Sequence, residues 1–169
     1  LESNGDEREI LPWLRISADL DPQRVETYTV AAYWLRNRLG KVKEAEQFLR
    51  EGLRANPQSY EILFELGRVA FENRKDSQVA RNLWELALRR WREQEEAKSK
   101  PDSFLHQQIV GHLAELAEQA GNWDAAKKYL EELKKHSPSP QTIQKQIDKI
   151  LQQHSLPSAS EPMPSRDIK

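Results

Sequence analysis

A self-similarity at a spacing of 35 residues constrains this chain more than any other feature of its sequence. Moved onto itself by that distance, the chain sets Pro22 on Pro57, Ala32 on Gly67, Ala45 on Ala80, Leu49 on Trp84 and Leu53 on Leu88. A third copy follows after a longer spacing of 46, which sets Ala80 on Ala126, Trp84 on Leu130 and Ala87 on Leu133. From Ala45 to Pro57 is 12 residues, and from Ala126 to Pro138 is 12 again. A period of this size marks a supersecondary unit that buries its apolar face only by stacking on its neighbours.

Each copy reads as two helices, with apolar residues recurring every three or four positions. The first helices carry Tyr28, Ala31, Ala32 and Leu35, then Leu63, Leu66 and Val69, then Ile109, Val110, Leu113 and Ala114. The second helices carry Ala45, Phe48 and Leu49, then Ala80, Trp84 and Ala87, then Ala126, Tyr129 and Leu130. Strand-like alternation is absent, so the expected class is all-α. Gly40 and Gly121 stand where a helix ends in a left-handed residue, and "NRKDS" does that work in copy two, with Asp76 or Ser77 as N-cap. Prolines 22, 57 and 138 end the second helices, because proline disfavours helix in the residue before it. Ala45, Ala80 and Ala126 mark close helix crossings, where a larger side chain would overpack at a cost of roughly 1–3 kcal/mol.

These residues resemble the tetratricopeptide repeat, a helix-turn-helix unit of about 34 residues with small residues at fixed contacts and a closing proline. Copy two corresponds best, through "LGRVAF" together with Ala80, Trp84 and Ala87; copy one departs, with Ala32 where glycine is usual and Gly52 where alanine is usual. The resemblance implies a right-handed helical-repeat solenoid of antiparallel helix pairs. The expected organisation is a disordered remnant at 1–6 and a repeat domain at 7–154, followed by a disordered Ser/Pro-rich tail at 155–169. Within the domain fall a half repeat at 7–21, repeats at 22–57, 58–100 and 101–138, and a capping helix at 139–154. Pro12 is expected in the first turn of the half repeat. "RRWREQEEAKSKPD" adds 11 residues between copies two and three, either as a long charged helix end or as an arm that projects towards a partner.

With 26 basic and 27 acidic side chains the formal net charge is −1, which provides no global attraction to nucleic acid or anionic lipid. There is no cysteine, so disulfides and thiolate sites are excluded, and no apolar run reaches the roughly 20 residues that span a bilayer. The six glycines are scattered, the four histidines lack ligand spacing, and the carboxylates lie in charged helix faces. The expectation is a non-enzyme with no catalytic, cofactor-binding or metal site. His106 and His112 are expected at the surface or in a groove. The chain begins at Leu1, so an upstream segment is expected, and the compartment stays open between cytoplasm and bacterial envelope.

What the resemblance implies instead is a concave groove, lined by the first helix of each repeat, that holds a protein or peptide. Carried over, the groove residues are Tyr33, Arg36, Phe64, Arg68, Phe71 and His112, an aromatic and arginine mixture of the kind enriched at hot spots. The lysines and asparagines with which some members clamp a chaperone's terminal carboxylates are absent; Thr29, Tyr33, Glu65, Gln108 and His112 stand at those positions. On this reading, Arg68→Glu with Phe64→Ala abolishes capture and leaves melting nearly unchanged. The alternatives are a self-associating structural module and, less well supported, a half-repeat scaffold of RNA processing suggested by "ARNLWELALRRW".

Overall fold

The computed structural model describes residues 4–154, with side chains from residue 10 onwards. Residues 1–3 of the expected remnant and the expected tail at 155–169 lie outside the described residues. Eight α-helices follow one another: α1 (Asn4–Leu20), α2 (Val25–Tyr33), α3 (Val42–Ala55), α4 (Tyr60–Arg68), α5 (Ser77–Glu95), α6 (Ser103–Gln119), α7 (Trp123–His136) and α8 (Pro140–His154). Helices α2 and α4 each run on into a π-helical turn, Trp34–Arg38 and Val69–Asn73. No strand occurs among the described residues, and successive helices pack as antiparallel pairs into the expected all-α solenoid.

The repeat seen in the sequence returns in the hydrogen bonds. Leu39 N–H donates to Trp34 O and Arg74 N–H to Val69 O, both at 3.2 Å and 35 residues apart. Lys41 N–H to Leu35 O and Asp76 N–H to Ala70 O repeat in the same way, at 2.7 and 2.9 Å. Both pairs close a helix end whose carbonyls would otherwise be orphaned. The left-handed residue between them is Gly40 at φ 65° in copy one and Lys75 at φ 57° in copy two. Gly121 takes φ 68° in copy three. Asp76 is the N-cap of α5, its carboxylate accepting from Val79 N–H at 3.0 Å. Helices α1, α3 and α7 end two residues before Pro22, Pro57 and Pro138.

Three apolar clusters fill the interior, each spanning neighbouring helix pairs and linked through shared side chains such as Leu53, Leu83 and Leu133. Ala45, Ala80 and Ala126 are completely buried at the crossings. Gly52, unusual for its position, is explained by Tyr28, whose ring carbon lies 2.4 Å from where a β-carbon would stand.

Pro12 lies inside α1 rather than in its first turn, because the helix begins at Asn4, ahead of the half repeat. Leu11, Leu14 and Ala18 turn towards copy one, whereas Trp13, Ile16 and Leu20 face solvent. The inserted segment between copies two and three does not project. Trp91 is 1% exposed and its indole donates to Asp102 O at 2.8 Å. Glu95 is buried, accepting from the Tyr60 hydroxyl at 3.1 Å and from Asp102 N–H at 3.2 Å. At the far end Ile143, Ile147 and Ile150 of α8 cover the last pair and leave glutamines, lysines and Asp148 outside.

Candidate interaction groove

Side chains of α2, α4 and α6 meet in one charged and one aromatic cluster. Residues 61, 65, 68 and 72 recur at helical spacing along α4 and the π-helical turn that continues it, giving Glu61, Glu65, Arg68 and Glu72 on one face. The π-helical turns bring in the residues at its edge: Arg36 lies in the first turn, Phe71 and Glu72 in the second. Such turns insert a residue into the helical ladder and re-aim the side chains around it.

Charge links α2 to α4. Arg36 lies 3.9 Å from Glu65 and 3.4 Å from Glu72, while Arg68 lies 3.5 Å from Glu65 and 2.8 Å from Glu72. The side chain of Arg36 is only 2% exposed, and neither Nη atom makes a hydrogen bond. Burial pushes the Glu65 pKa up, against the pull of Arg68 and Arg36 in the other direction. A buried cation shared at long range by two carboxylates is neutralised but poorly solvated, so its partners keep unfilled acceptor capacity on the open side.

Aromatic packing joins α6 to both α5 and α4. The His112 ring stacks on Trp84 at 4.6 Å and 12°, with Phe64 at 5.9 Å and Phe71 at 6.5 Å. Burial pushes the His112 pKa down, outweighing Glu115, so the ring is neutral near pH 7. Immediately before it in the chain, Gly111 is open: a β-carbon there would find nothing within 4 Å.

The six groove residues expected from the sequence therefore separate. Arg68, Phe71 and His112 are partly exposed and adjoin one another across α4 and α6. Tyr33 is half exposed and stands apart, edge-on to Trp34. Phe64, 2% exposed, belongs to the core beneath the face, and Arg36 is buried as a brace between α2 and α4. Phe64 was misplaced because a first-helix aromatic reads the same whether it points at the groove or at the next helix. Glu72 was missed, although its spacing from Arg68 and Glu65 was a legible signal.

His106 departs from the expectation of a surface or groove position: it is 1% exposed, packed on Trp91 at 4.1 Å and on His136 at 4.8 Å. Its Nε2 lies 3.2 Å from Glu132, which also accepts from Arg92. The lengthened α5 carries Trp91 and Arg92 over this position, which the sequence spacing alone did not reveal. Among the described residues, no cluster of three or more histidines and carboxylates is placed to hold a metal ion. No described helix is long and apolar enough to cross a membrane.

This is a helical-repeat fold of the tetratricopeptide type, a class whose members are generally protein-interaction scaffolds. Residues 112–139 match the tetratricopeptide repeat family model, and the resemblance read from the sequence is borne out. The match falls on copy three, which has Gly121 and Pro138 in place, rather than on copy two, where Lys75 substitutes for the glycine. Among solved structures the chain is similar to MamA, at 17% identity and TM-score 0.64 over 90% of this chain and 81% of that one. It is also similar to PilF of Pseudomonas aeruginosa, at 16% identity and TM-score 0.66 over 89% of this chain and 63% of that one. A third likeness, at 20% identity and TM-score 0.63, is to the APC/C hetero-tetramer Cut9–Hcn1, over 90% of this chain and 28% of that one. At these identities the likeness is one of fold. No curated protein matches the chain.

Proposed function

We propose that the chain is a non-catalytic scaffold that docks another protein along the face formed by α2, α4 and α6. The observation that supports this most directly is the condition of that face. Its charged and aromatic side chains are held in place from below by Arg36 and Trp84, while Gly111 leaves room above. A face pre-organised in this way loses little side-chain freedom on binding.

The test is photo-crosslinking in cells, with a benzophenone amino acid at Tyr33 or Gln108 on the groove and at Gln47 on α3. Crosslinks from the two groove positions and none from Gln47 are expected. The reverse pattern would remove the groove from consideration.

A second reading, self-association, is favoured by one observation. Trp13, Ile16 and Leu20 are 69%, 48% and 80% exposed along one stripe of α1, whereas α8 closes the other end with a polar outer face. Sedimentation velocity over a wide concentration range separates the two. A size that grows with concentration, and stays monomeric in Trp13→Glu with Leu20→Glu, would favour an assembly element.

A further inference from the structure

The charge on the docking face identifies the chemistry of what it holds. Glu61 and Glu65 of α4, Glu72 of the turn that follows it and Glu115 of α6 stand on it against two cations, Arg36 and Arg68. Arg36 is buried beneath the carboxylates, so the charge that meets a partner is more acidic than the count. His112 adds no compensating charge, because burial keeps it neutral. The α3 side of the molecule is the opposite: its surface depression is lined by Lys43, Arg50, Arg54 and Arg74 against Glu46 and Glu51. In a chain of net charge −1, the face of α4 and α6 is thus acidic where the depression beside α3 is basic.

We infer that the groove takes a basic segment of a partner protein, with lysine or arginine side chains against Glu65, Glu72 and Glu115 and an apolar side chain over Phe71 and His112 near Gly111. The carboxylates already on the face make this the favourable sign. A cation from the partner supplies Glu65 with the close donor that neither Arg36 nor Arg68 provides, and an acidic partner would add like charge to a partly dry surface. Oriented charge of this kind speeds encounter and rejects wrong partners more than it adds raw affinity, so the binding is salt-sensitive. This inference rests on the groove being the docking face.

The experiment selects a displayed random-peptide library on the immobilised protein and on Gly111→Trp, whose indole fills the open space while every charged residue is kept. Net-positive sequences that the wild type retains and Gly111→Trp loses are expected. A synthetic copy of the leading sequence should bind at least about fivefold more weakly in 300 mM than in 50 mM NaCl. Glu72→Gln with Glu115→Gln should lower its affinity in the same direction at low salt. Neutral or acidic sequences retained by the wild type and lost by Gly111→Trp would overturn the charge inference and leave the groove standing. Sequences retained equally by both proteins, or no enrichment on either, would overturn the groove as well. The salt series uses the unaltered protein, so it decides the matter even if the glutamine variant is poorly folded.

Discussion

The indole nitrogen of Trp84 donates to the main-chain carbonyl of Phe64 at 3.1 Å, and a β-carbon on Gly67 would sit 2.3 Å from that same nitrogen. The tryptophan thus occupies the space that a side chain at 67 would need. It also satisfies its buried donor on the helix that Gly67 belongs to, and supports His112 on its other face.

Gly67→Ala is therefore expected to destabilise the protein, despite alanine's better helix propensity. The indole must move and stretch its hydrogen bond, and overpacking of this kind costs roughly 1–3 kcal/mol. Thermal melting checks it. An unchanged or raised Tm would mean that the ring relaxes freely.

Lys75 is expected to behave in the opposite way. At φ 57° it holds a left-handed conformation that its two counterparts fill with glycine. The left-handed region costs an L-residue roughly 1–2 kcal/mol, part of which the extra freedom of unfolded glycine returns. Lys75→Gly should raise stability by a few tenths to about 1 kcal/mol, while Gly121→Ala should lower it by about 1 kcal/mol. Urea midpoints for the pair test this, and equal shifts of one sign would sink it.

Acid should unfold the third repeat through Glu132. Burial raises the pKa of its carboxyl, but hydrogen bonds to His106 and Arg92 outweigh this and hold it down to about 2. A depressed carboxylate contributes stability that is fully present above its unfolded pKa and lost as pH falls through the folded one. The window here runs from about pH 5 to about pH 2, for an effect on the order of 3 kcal/mol at most. Glu132→Gln should lower stability at pH 7 and flatten its dependence on pH across that window. A parallel acid limb in the variant would assign the loss to other groups.

Phe64→Ala should no longer be paired with Arg68→Glu in a binding test. Phe64 lies in the core beside Trp84, and truncating such a residue costs about 3–5 kcal/mol. Arg68→Glu alone keeps the core and changes only the face. Calorimetry should show a large drop in Tm for the first variant and a small one for the second. Comparable drops would mean that the Arg36–Glu65–Glu72 cluster depends on Arg68 for its integrity.

Much of the fold was legible because it is periodic. The three-and-four spacing of apolar residues, the alanines at the crossings and the prolines at the helix ends each follow from local geometry, and the structure repeats them at the same interval. The candidate groove was legible only in outline. Arg68, Phe71 and His112 stand on the face, but Phe64 and Arg36 do not offer themselves to a partner. A residue's position along a helix sets its angle, and whether that angle is covered depends on the next helix.

By itself, then, the sequence determined the class, the apolar side of each repeat helix, and the residues at which most of the helices end, because short-range sterics and capping decide these. Only the tertiary structure decided which charges share a surface. Glu65 and Glu72 lie on one helix, and Arg36 reaches them from another across 3.4 to 3.9 Å. Trp84 reaches between α4 and α6 to hold His112 in the same way. These groupings arise because stacking rotates each helix pair against the next. That rotation is a property of the packed array and of no single repeat.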